Sequence, residues 1–182
     1  MNKFKIIEDN KLVEIIAGTK PDSDLAFIEL YERYSRKLYI YCKKAIPDQN
    51  FVDDVYQDVF VRFYNSIKSG NQISNVQSYL FKIARNLCLN FKRDNKQVLV
   101  NIEEFDLNDY LKTKDDVGEI EAINSAIELL NDEYREAIIL QLFHSLSYNE
   151  IADILEVPVT TVRNRLVRAK RRLKELLQPI FE

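Results

Sequence analysis

The chain has 182 residues, 46% of them hydrophobic, which is room for one packed domain or two small ones; three Gly and four Pro leave little for a turn-rich β architecture, so long regular helices are expected. Its net charge is only -3, so any cationic binding surface has to be local. No apolar run is long enough to cross a bilayer, and the charges between Met1 and Asp9 come too early for a signal peptide, which points to a soluble cytoplasmic protein without membrane insertion.

Catalytic chemistry finds no support. Cys42 and Cys88 are isolated, with no CxxC or Cys/His spacing around either, and read as small core residues. His144 is the only histidine and stands between two apolar segments, where a structural role is expected. There is no GxGxxG, GxxxxGK[ST], GxSxG or HExxH. Neither an enzyme nor a metal or cofactor site is therefore expected.

Lys11 to Ala17 makes a short amphipathic helix ended by Gly18, and Pro21-Asp22-Ser23-Asp24 supplies a turn and N-cap for the next. Phe27, Leu30, Tyr31, Tyr34, Leu38, Tyr41 and Ala45 then recur with helical period until Pro47, as a core helix does. From Phe51 to Ile67 the pattern returns in Val52, Val55, Tyr56, Val59, Phe60, Phe63 and Ile67. The other side of that helix carries Asp54, Gln57, Asp58 and Val61 at i, i+3, i+4, i+7. Such a stripe is either a solvated face or a protein-docking face whose carboxylates meet Arg on a partner helix, and spacing alone does not choose.

A polar loop from Ser66 to Asn75 leads into a helix from about Val76 to Arg93, with Leu80, Ile83, Ala84, Leu87 and Phe91 as its core face. At 100° per residue, Tyr79, Lys82, Asn86, Asn90 and Arg93 fall within about 80° of one another on a different face. Single-stranded nucleic acid asks for that mixture: a ring to stack on bases, amides to read base edges, cations for phosphate. A mixed polar surface is the alternative.

Between Asp94 and Glu119 the character changes. Glu103, Glu104, Asp106, Asp109, Asp115 and Asp116 are scattered among apolar residues without a long period, which reads as an acidic linker. A second domain begins near Glu119: Ile120, Ile123, Ile127 and Leu130 form one helix face, Asn131-Asp132 can cap the next helix, and Ala137, Ile138, Gln141 and Leu142 follow. The expected fold is therefore all-α, two small helical domains joined by an acidic linker, the C-terminal one a four-helix domain.

Its last two helices carry the strongest signal. Ser147 and Glu150 form a capping-box pattern at the start of a short helix with Ile151, Ile154 and Leu155 on one face and the small Ala152 where a second helix can cross closely. Pro158 suits the turn or the first positions of a longer helix. There Val162, Leu166, Ala169 and Leu173 form an apolar back, while Thr160, Thr161, Arg163, Asn164, Arg165 and Arg168 lie mostly off it. From Arg163 to Lys174 there are seven Lys or Arg and no acid. A capped helix, a tight turn and a basic helix are what a helix-turn-helix needs in a major groove. The alternative for a basic amphipathic helix is a membrane surface or an acidic partner. Glu156 occupies the turn position where Gly is usual, at a cost on the order of 1 kcal/mol.

From about Phe27 to Leu177 the chain resembles the extracytoplasmic-function sigma factors of bacterial RNA polymerase, group IV of the sigma-70 family. The resemblance rests on Asp53-Asp54-Val55-Tyr56-Gln57-Asp58-Val59-Phe60-Val61-Arg62-Phe63, on Ser78-Tyr79-Leu80-Phe81-Lys82-Ile83-Ala84-Arg85-Asn86-Leu87-Cys88-Leu89-Asn90, and on Leu146-Ser147-Tyr148-Asn149-Glu150-Ile151-Ala152 through Arg172, in family order and spacing. It implies a region 2-like domain over 1–95, a linker over 96–118 that threads the RNA exit path, and a region 4-like domain over 119–182. The Asp54, Gln57, Asp58 and Val61 face would dock on the clamp coiled coil of core RNA polymerase. Asn75, Tyr79, Lys82, Asn86, Asn90 and Arg93 would engage the melted -10 element, with Tyr79 standing where the family usually has Trp. Thr160, Thr161, Arg163, Asn164, Arg165 and Arg168 would read promoter DNA at the -35 element, with the polymerase flap and an anti-sigma factor as further partners. The rival readings are a dimeric repressor or activator on paired half-sites, which leaves the Asp54 and Tyr79 stripes unexplained, and a helical adaptor without DNA binding.

Overall fold

The structure, a computed structural model, describes residues 4–18, 21–95, 118–142 and 144–181. Among them every regular element is helical, and the chain divides into two compact units, Met1–Lys96 and Gln97–Glu182. The acidic stretch expected to be a linker lies outside the described residues.

The first unit contains α1 (Asp9–Ala17), α2 (Ser23–Ala45), a 3-10 turn at Gln49–Phe51, α3 (Val52–Lys68) and α4 (Val76–Asp94). Helices α2, α3 and α4 pack against one another, and α1 lies on α2 and α3. Leu30, Tyr34, Leu38 and Tyr41 of α2, Val59, Phe60, Phe63 and Ile67 of α3, and Leu80, Ala84 and Leu87 of α4 are buried together, as their spacing demands. Phe81, which the spacing leaves aside, is also fully buried and meets Tyr41 edge-on at 5.4 Å. Cys42 and Cys88 are buried free thiols. Tyr31 departs from the expected core face: it is 40% exposed, in an aromatic cluster with Tyr56 and Phe60 at the α2–α3 seam.

Two long cations lock the small α1. Arg33 of α2 pairs with Glu29 at 2.9 Å and Asp9 at 2.6 Å, and donates to the carbonyl oxygens of Phe4, Lys5 and Ile7. Glu29 is 4% exposed, a depth a carboxylate keeps only when paired. Lys68, at the end of α3, donates to the Ile16 and Gly18 carbonyls at the C-terminus of α1, where the helix dipole favours a cation.

The second unit contains α5 (Glu119–Glu128), α6 (Asp132–Leu142), α7 (Tyr148–Leu155) and α8 (Val159–Phe181), the expected four helices. Its core takes Ala137, Ile138 and Leu140 of α6, Ile151, Ile154 and Leu155 of α7, and Val162, Leu166 and Ala169 of α8. The expected face of α5 needs correction. Ile120 is 76% and Ile123 39% exposed, while Ala122, Ala126 and Ile127 are buried. The helix packs on α8, and its buried side is made of two small residues, Ala122 and Ala126, and one large one, Ile127. Leu142, at the end of α6, is likewise exposed. Arg135 closes the α5–α6 corner by donating to the carbonyls of Ile127, Glu128 and Leu130. No helix among the described residues is long and apolar enough to cross a membrane.

Candidate nucleic-acid interface

The second unit builds its interface from the α7–α8 corner. The capping box is complete: the Ser147 hydroxyl oxygen accepts from the Glu150 amide, and the Glu150 carboxylate accepts from the Ser147 amide at 2.8 Å. This fixes where α7 starts. It ends at Glu156, whose φ of 56° and ψ of 43° are left-handed. The Pro158 carbonyl then accepts from Thr161 and Val162, so proline stands just before α8 as its N-cap. Val162, Leu166, Ala169 and Leu173 are all buried against the rest of the unit.

With that back fixed, Thr160, Arg163, Asn164 and Arg168 face solvent, and Thr161 is half-buried at the edge. Arg165 lies elsewhere. Its side chain is only 15% exposed and pairs with Glu133 of α6 at 2.9 Å, so the second cation of the expected front is turned along the α6 seam. Interaction with the Tyr134 hydroxyl raises the already high pKa of Arg168. Sequence reasoning missed Glu133 and Tyr134, because the period of α8 says which residues face out and nothing about which helix flanks them.

In the first unit the stripe of α4 is present but unequal. Asn86, Asn90 and Arg93 are exposed, Lys82 is half-buried, and Arg93 pairs with Asp94 at 3.0 Å. Tyr79 is half-buried: its ring leans on Phe63 and its hydroxyl meets Ser66 Oγ, which also accepts from Asn71. Asn75 is the N-cap of α4, its side chain accepting from the Ser78 amide at 2.8 Å. Both residues therefore also order the α3–α4 loop, a role their spacing did not announce. On α3, Asp54, Gln57 and Val61 are exposed, and Asp58 pairs with Arg62 at 2.9 Å.

A helix-turn-helix in one helical unit and an amide-bearing helix stripe in a separate one are features of a DNA-binding protein built from two helical units. Comparison with known proteins gives the family. Residues 30–98 match the Sigma-70 region 2 model and residues 120–173 the Sigma-70 region 4 model. The chain is 30% identical to the ECF RNA polymerase sigma-E factor of Haemophilus influenzae over 191 residues, spanning 96% of this chain and 98% of that one. It is 29% identical to the ECF RNA polymerase sigma factor SigW of Bacillus subtilis, over 88% and 93% of the two chains. Among solved structures, CnrH in complex with the cytosolic domain of CnrY aligns with a TM-score of 0.70 at 24% identity, over 94% of this chain and 97% of that one. RpoE from Bartonella quintana, solved with the anti-sigma factor NepR, gives 0.67 at 22%, over 84% and 96%. These two likenesses bear on the all-helical fold. The chain belongs to the ECF RNA polymerase sigma factors, proteins that direct RNA polymerase to promoters for transcription initiation.

Proposed function

We propose that this chain is a group IV sigma factor that acts in the cytoplasm, carries no catalysis of its own, and divides promoter recognition between its two units. Residues 1–95 bind core RNA polymerase and the -10 element, 96–118 tether, and 119–182 bind the -35 element and the flap. On α3, Asp54, Gln57, Asp58 and Val61 form the face for the clamp coiled coil. On α4, Asn86 and Asn90 read unpaired bases, Tyr79 offers the exposed part of its ring, and Lys82 and Arg93 hold phosphate, while Asn75 shapes the loop before them. On α8, Thr160, Thr161, Arg163, Asn164 and Arg168 face the major groove, and Arg165 braces that helix against α6. Because the α4 stripe favours melted over duplex DNA, binding shifts the promoter toward the open form without any chemical step. An anti-sigma factor, as NepR is for the Bartonella quintana RpoE, would act by covering these faces.

The observation that carries this reading is the exposure of Asn86 and Asn90 on a helix whose opposite side, from Leu80 to Cys88, is buried in a unit separate from the helix-turn-helix. A repressor has no use for that second face. Permanganate footprinting of a promoter bound by holoenzyme tests it. Asn86→Ala should weaken the reactivity of unpaired thymines at the -10 element by about tenfold, the effect of losing roughly 1–2 kcal/mol of base contact, while duplex protection at the -35 element persists. Unchanged thymine reactivity would remove α4 from strand capture.

A further inference from the structure

The start of α6 and the C-terminal half of α8 enclose a notch of about 500 Å³ in the second unit, lined by Asn131, Tyr134, Arg168, Arg171, Arg172 and Glu175. We propose that this notch seats a backbone phosphate of duplex DNA at the rim of the major groove that α8 enters. The proposal rests on the helix-turn-helix reading and adds Arg171 and Arg172, which lie beyond the residues of the groove-facing stripe.

Three guanidinium groups line the notch against one carboxylate. A guanidinium presents a planar fork of donors that fits two phosphate oxygens at once. Glu175 holds the outer two cations, Arg172 at 3.1 Å and Arg171 at 3.8 Å, so they are gathered before any ligand arrives. Both remain reachable, with side chains 56% and 76% exposed. Arg168 lines the notch beside Tyr134, and its guanidinium has five N–H groups to offer. The N-terminus of α6, capped by Asn131 at the Tyr134 amide, adds its positive dipole end to the same corner.

Position selects DNA over other anions. Arg172 lies eight residues after Asn164, or about 12 Å along the helix axis, which equals the width of the major groove, also about 12 Å. A helix with Asn164 on base edges thus carries the notch to the phosphates at the groove's edge. An acidic protein segment shares the charge but has no reason to sit in line with the base-reading residues.

Fluorescence anisotropy of the full chain on a labelled mixed-sequence duplex, titrated with KCl, provides the test. Each lost phosphate contact lowers the slope of log K against log salt by about 0.9, so the double variant Arg171→Ala/Arg172→Ala, which empties this one seat, should lose about 0.9 from the slope while its thermal midpoint stays put. Glu175→Gln should tighten binding a few-fold, since phosphate no longer displaces a carboxylate. Arg163→Ala, on the groove face, separates the two claims. If it weakens binding and the double variant does not, the phosphate seat is overturned and the helix-turn-helix stands. If neither changes binding, or the wild-type chain fails to bind duplex even at low salt, both fall. Loss of binding to a hexaglutamate peptide with the DNA slope intact would reassign the notch to an acidic protein and equally overturn the inference.

Discussion

Arg163 and Arg165 stand two residues apart on α8 and do different work. Arg163 is exposed, with no burial to lose, whereas Arg165 is mostly covered and paired with Glu133 across the α6–α8 seam. Arg163→Ala should therefore leave stability within about 0.5 kcal/mol of wild type and reduce DNA affinity by roughly tenfold, one charge-assisted contact at about 1.5 kcal/mol. Arg165→Ala should cost stability as well, about 1 kcal/mol from lost packing and a half-buried ion pair. Differential scanning calorimetry beside a duplex titration distinguishes the two. That both residues lie off the apolar back was legible in the sequence because that back fixes the phase of α8. That one of them is caught by a neighbouring helix was not legible, since nothing in the period of one helix reports what its flank touches. The same limit hid Ser66 beneath Tyr79 and the capping role of Asn75.

At the scale of elements, the turn between α7 and α8 holds two opposed contributions. The Ser147–Glu150 capping box stabilises the start of α7, and Ser147→Ala should cost about 1 kcal/mol, a drop of several degrees for a unit of this size. Glu156 pays for its left-handed backbone, and Glu156→Gly should raise stability by up to about 1 kcal/mol while leaving the helix-turn-helix intact. Both are read by the thermal transition of the second unit, and a destabilised Glu156→Gly would contradict the account of the turn. In the first unit, burial raises the pKa of Tyr56 well above its usual value near 10, helped by a hydrogen bond to Tyr31. Above about pH 10 the unfolded chain releases this proton while the folded chain keeps it, so stability falls as pH rises through that range. Tyr56→Phe should flatten this alkaline loss in urea unfolding curves measured from pH 9 upward.

Element boundaries came through in the sequence where a local chemical signal marks them: the capping box, Asn131 before α6, Gly18 after α1, and the proline before α8. Faces came through where one apolar stripe dominates, as in α3 and α8. In α5 two stripes compete, the large Ile120 and Ile123 against the small Ala122 and Ala126, and size misled because a close helix crossing selects alanine. Tyr31 was placed inward for a related reason: its ring extends the aromatic seam with Tyr56 and Phe60 to the surface and does not end in the core.

At the scale of the whole molecule, the proposed function depends on the presence of two different readers in one chain. The first unit offers a carboxylate face on α3 and an amide stripe on α4; the second offers a basic helix with an arginine-lined notch beside it. Each face alone fits several kinds of protein. Held in one chain they fit a factor that must hold the polymerase, grip duplex at one promoter element and favour unpaired bases at another, and the low net charge leaves affinity to these local surfaces rather than to a general field.

The most direct measurement is run-off transcription by core RNA polymerase on a library of promoter fragments, with and without this chain. The account predicts specific transcripts that appear only when the chain is present, that are lost with Asn86→Ala and with Arg163→Ala, and that weaken when Asp54 and Asp58 are both changed to Ala. Folded chain that neither co-purifies with core enzyme nor starts any transcript would contradict it, and duplex binding in the same samples would point instead to a repressor.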